Sequence, residues 1–178
     1  MNKHDIILNL KEVSDQFISE CFSIPVDRFF YQPAEKWSIA QNIRHLSAAA
    51  GMTRLAYQLP KFMVRLYTGR PNRSSRAYEE LVLKYKLKLA AGGKASGRFI
   101  PKPISAGIGK EKILNDFKNA MNSLQRSIDK KWEDSQLDQY LAPHPLLGKL
   151  TLRELGYFTI YHTMHHHAII KERLKDQI

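Results

Sequence analysis

A chain of 178 residues with 43% apolar content is sized for one domain with a sizeable core. Its longest stretch free of Asp, Glu, Lys and Arg, Leu155 to Ile170, is too short to cross a bilayer and carries four histidines, which excludes a membrane span. The net charge of +11 is local: residues 61–112 hold 13 of the 28 Lys and Arg against Glu79, Glu80 and Glu111, a balance of +10, leaving +1 for the rest.

The opening MNKHDIILNLKEVSD meets acidic residues at once and has no small-residue cleavage site, so it reads as a first helix and not as a secretory signal. From Asp5 to about Cys21, Ile6, Ile7, Leu10, Val13, Phe17, Ile18 and Cys21 recur at helical spacing, and Pro25 closes the run. Cys21, the single cysteine, excludes an internal disulfide framework; on the apolar face it reads as core, and its isolation favours the cytoplasm. Ser38 followed by Gln41 is a capping box that starts helix two, and Pro60 should kink or end that helix.

Residues 68–74 read as loop, 75 to about 91 as a basic helical piece, and 92–107 as irregular chain punctuated by Gly and Pro. Together they make a long crossover. Within it RFIPKP, Arg98 to Pro103, reads as surface loop or as a basic lid. Ile113, Leu114, Phe117, Met121, Leu124 and Ile128 define helix three over 109 to about 133. After the turn material LAPHPLLGK, Thr151 and Glu154 form a second capping box, with Leu150 and Leu155 as its hydrophobic staple, and helix four runs to near the C-terminus. Four long helices and no alternating strand pattern predict an all-α four-helix bundle with a crossover between helices two and three, one domain over 1–178.

Four of the seven histidines lie in YHTMHHH, residues 161–167. With Leu155 as origin, His162 and His166 fall about 20° to either side of the apolar stripe's centre, whereas His165 and His167 fall at roughly −80° and +120°. The inward pair is His162 and His166. Two imidazoles one turn apart on a buried face can converge on one ion, and His45 is the third candidate because its face of helix two carries Gln41, Ala48, Ala49, Met52 and Ala56, which let a neighbouring helix approach. A lone histidine on such a face is usually hydrogen-bonded core; an i, i+4 pair needs partners for four ring nitrogens, which a shared metal helps to supply. Three neutral nitrogens suit a divalent ion such as zinc or nickel and leave a position for water, for hydrolysis, or for a thiol substrate.

The opposite side of helix four, with Tyr157, Ile160, Tyr161, Met164 and Ala168, is also apolar; it predicts either a homodimer interface or coverage by the crossover. The basic segment lacks an interleaved aromatic pattern or a DNA-reading motif, so it reads first as solubility and second as steering of an anionic substrate.

WSIAQNIRHL, Trp37 to Leu46, followed some 115 residues later by YHTMHHHAII, resembles the DinB family of bacterial proteins in the order and spacing of two short motifs. The resemblance implies a four-helix bundle of up-down-down-up topology, frequent dimers, and a divalent metal held by histidines that map to His45, His162 and His166. It further implies a metal-dependent hydrolase or a thiol-dependent S-transferase acting on a small molecule, in some members a low-molecular-weight thiol. Ile169 stands where many relatives carry a glutamine, and no general acid or base maps onto this chain. The competing expectation is a non-catalytic metal-containing binding protein whose basic crossover contacts nucleic acid or another anionic partner.

Overall fold

The computed structural model describes residues 1–34 and 36–175. Helix accounts for 70% of the chain against a single two-stranded hairpin, so the class is all-α. Four long helices, α1 (Lys3–Phe22), α3 (Ile39–Gln58), α6 (Lys110–Lys131) and α7 (Leu152–Lys175), are joined by shorter ones: α2 (Val26–Phe30), α4 (Lys61–Thr68) and α5 (Tyr78–Ala90). Helices α1 and α3 each pack on both α6 and α7. Their apolar faces meet in one continuous core that includes Leu10, Phe17, Ile43, Phe117, Met121 and Leu155. No helix among the described residues is long and apolar enough to cross a membrane.

Both predicted capping boxes form. The Ser38 hydroxyl accepts from the Gln41 amide while the Gln41 side chain accepts from the Ser38 amide, which fixes where α3 begins. Thr151 and Glu154 do the same at the start of α7, and Leu150 and Leu155 are both buried beside them. Gly156 lies where α7 approaches α1 so closely that a Cβ would sit 2.9 Å from Ile6 Cγ2.

The structure departs from the sequence reading in four places, one of them α2, a short helix just after Pro25 where the sequence shows no element. Pro60 ends α3 but also opens α4, since a proline at a helix entrance gives up no hydrogen bond. The turn material after helix three is a hairpin of β1 (Leu141–His144) and β2 (Gly148–Thr151), with Gly148 at φ +78° completing the three-residue connection. The second apolar face of α7 is covered by α5: Tyr85 sets its edge on Phe158 and Tyr161, and Tyr78 on Tyr157. Coverage by the crossover thus takes up part of the surface on which the homodimer expectation rested, while Met164 and Ala168 remain exposed.

Candidate metal centre

The four histidines of α7 point in different directions, as the helical wheel requires. His167 faces α1, where its Nε2 meets Glu20 Oε2 at 2.8 Å and its ring stands edge-on to Phe17. His165 faces α5, perpendicular to Tyr85. His162 and His166 face α3 and meet His45; the three rings have centroids 4.7–4.9 Å apart and are almost wholly buried. One ligand atom from each of the three lies within 4.8 Å of the other two.

The outer nitrogens of two rings are fixed by partners that leave no choice of tautomer. His45 Nδ1 lies 2.7 Å from the Phe99 carbonyl, which can only accept, so Nδ1 carries the proton and Nε2 keeps its lone pair. The Asn42 amide nitrogen donates to the Ser38 carbonyl at 2.8 Å, which orients its Oδ1 toward His166 Nδ1 at 2.7 Å. That ring therefore also presents an unprotonated Nε2. His45 and His162 bring their Nε2 atoms to 3.0 Å, and two bare lone pairs cannot face each other at that distance. Either a proton or a cation must lie between them.

Burial, followed by the neighbouring imidazoles, holds His162 and His166 well below the usual histidine range; burial also lowers His45, against the opposing pull of the Phe99 carbonyl. Neutral imidazoles with free Nε2 lone pairs are the form that ligates a divalent metal, so the donor set fits such an ion. Trp37 walls the site, 5.1 Å from His45 and nearly parallel to His166. The stretch from Gly97 to Phe99 passes beside it, with Arg98 Nη1 3.6 Å from Met52 Sδ.

The sequence reading did not single out Asn42 or Phe99. Asn42 sits one turn before His45 and is almost fully buried, a placement that a search for polar residues on the ligand face would have found. Phe99 contributes a backbone carbonyl, which leaves no side-chain signature. His144 is not among the converging residues; its ring rests 4.2 Å from Phe158, which in turn stacks on His162. Its Nδ1 accepts from the Leu146 and Leu147 amides, and burial, reinforced by Lys84, lowers it to about 4. Burial pushes the Cys21 thiol up to about 12, consistent with a core residue and not a nucleophile.

A model of the DinB superfamily matches residues 10–170, a span that contains all three converging histidines and both motifs around them. No curated protein and no solved structure matches the chain. With nearly its whole length covered by that match, the chain belongs to the DinB superfamily.

Proposed function

We propose that the protein is a metal-dependent enzyme acting on a small molecule, with His45, His162 and His166 as the ligands of a divalent ion, zinc or nickel. The observation that carries this reading is the convergence of the three rings, two of them tautomerically fixed from behind by Asn42 and the Phe99 carbonyl. Such an ion supplies Lewis-acid chemistry, acidifying a water or a thiol. The proposal includes a single domain over 1–178, of which 35 and 176–178 lie outside the described residues, folded as an up-down-down-up bundle. It supposes a cytoplasmic setting, to which the lone buried cysteine lends support.

Thiol-dependent transfer is favoured over hydrolysis. No carboxylate hydrogen-bonds to the three rings among the described residues, so either nucleophile would give its proton to solvent. A thiol, with an ordinary pKa of about 8.5, ionises near neutral pH, and its thiolate is a strong nucleophile and a soft ligand that such an ion holds well. In that reaction the S–H proton passes to solvent, an S–C bond forms, and the leaving group departs with its electron pair. Trp37 and the Gly97–Phe99 stretch flank the three rings, and Arg98 in that stretch would favour a thiol that carries negative charge.

Metal analysis of protein purified without a histidine tag tests the centre. Stoichiometric zinc or nickel, lost on His162→Ala or His166→Ala and retained in His165→Ala and His167→Ala, is expected. Equal loss in all four variants would overturn the assignment. Metal-loaded protein should then consume a low-molecular-weight thiol with a suitable electrophile, and hydrolysis without thiol consumption would reverse the preference.

A further inference from the structure

A second polar region lies at the other end of α7. Arg153 precedes His162 by nine residues, so the two are separated by roughly 13 Å along the helix at about 1.5 Å per residue. Here an open cleft of about 880 Å³ is lined by Arg65, Arg70, Arg73, Arg76 and Arg153, with Asp138 the acidic residue on its wall. Two further carboxylates stand behind that wall, Glu154 bonded to Arg73 and Arg76, and Asp134 bonded to Arg153. Five cations against three anions leave +2.

The five arginines are not equivalent. Glu154 grips Arg73 in a bidentate pair at 2.6 and 2.7 Å and takes a third bond from Arg76; Asp138 holds Arg153 through two bonds of 2.8 Å. Buried Glu154 and part-exposed Asp138 fix the guanidinium planes while leaving donors over: Arg73 uses three of its five side-chain N–H groups, and Arg76 uses one. Arg65 and Arg70 are paired with no carboxylate among the described residues. The Arg65 guanidinium lies 4.7 Å over the Tyr140 ring, and its Nε is shut off from water yet has no hydrogen-bond partner. The positive field extends beyond the cleft: Lys84 is lowered by its own burial and then by Arg76 and Arg73.

From this arrangement we infer that the cleft binds a phosphomonoester, held by Arg65 and Arg70 together with the remaining donors of Arg73 and Arg76. A phosphomonoester carries close to two negative charges at neutral pH, matching the surplus of the cleft, and guanidinium forks fit its oxygens in pairs. The volume accommodates an organic group beyond the phosphate. The site is separate from the histidine centre and does not depend on the reading of that centre.

The test is calorimetric titration of the full-length, chelator-treated protein with inorganic phosphate. Saturable binding that weakens as salt rises is expected, with Arg65→Ala/Arg70→Ala reducing affinity about a hundredfold, since each charge-assisted contact is worth roughly tenfold. Arg70→Glu, at an exposed position with no carboxylate partner among the described residues, serves should the double variant fold poorly, and should also abolish binding. His162→Ala should bind phosphate with unchanged affinity. Co-sedimentation with phosphatidic-acid vesicles, competed by phosphate and lost in Arg70→Glu, assigns the phosphomonoester to a lipid headgroup; phosphate binding without it assigns a soluble ligand. Absence of saturable phosphate binding, or binding undiminished in both arginine variants, overturns the inference.

Discussion

Replacing Glu154 with Ala should cost about 3–4 kcal/mol, a large part of the roughly 5–15 kcal/mol that holds a domain together. The side chain is fully buried and accepts five hydrogen bonds: two from Arg73, one each from the Arg76 side chain and backbone, and one from the Thr151 backbone. The two backbone donors weigh most, because Thr151 is itself buried and an N–H left without a partner there costs about 1–3 kcal/mol. Losing half of the α7 capping box removes about 1 kcal/mol of this. The ion pairs add little, about 1 kcal/mol together, because Arg73 and Arg76 are 31% and 27% exposed and can turn to water. Arg73→Ala should therefore cost only about 1 kcal/mol, since Arg76 and the two amides continue to satisfy the carboxylate. Urea denaturation at neutral pH measures both values. A Glu154→Ala loss below about 1 kcal/mol, or an Arg73→Ala loss as large as that of Glu154→Ala, would refute the view that backbone satisfaction outweighs charge here.

Asn42→Ala should weaken metal binding about 10- to 100-fold by freeing His166 Nδ1, while Asn42→Asp, a stronger acceptor, should retain or tighten it; chelator competition reads the change, and an unaltered affinity in the alanine variant would contradict the positioning role. The metal-free protein should lose stability on acidification before any carboxylate protonates. Because burial depresses His45, His162 and His166 in the folded state, the unfolded chain binds protons first, so their contribution is intact above about pH 6.5 and declines below it by up to 1.4 kcal/mol per pH unit for each ring. Glu154, Asp134 and Asp138 are depressed as well, and their stability is lost only below the unfolded carboxylate range of about 4. A urea midpoint that stays flat between pH 7 and pH 5 would exclude the histidine contribution.

Much of this architecture is legible from periodicity. The long helices follow from apolar spacing, two of their starting points from Ser38–Gln41 and Thr151–Glu154, and the inward pair of histidines from a rotation of 100° per residue. Other elements leave weaker traces. The hairpin strands are four residues each, and Pro143 interrupts one of them, too little chain for alternation to register. Helix α4 is concealed because Pro60 reads equally as a stop and a start. The double use of Glu154, as cap of α7 and as anchor for Arg73 and Arg76, depends on a crossover folding back across some eighty residues, a contact that no local pattern encodes.

The acceptor behind His45 belongs to the main chain of residue 99, and that has an evolutionary consequence. Replacing the Phe99 side chain would leave that carbonyl in place, whereas a one-residue insertion or deletion would slide a different peptide group beneath the imidazole. Within this loop, spacing along the chain is therefore under constraint as firmly as the glycine at 97, whose φ of +56° other residues rarely adopt.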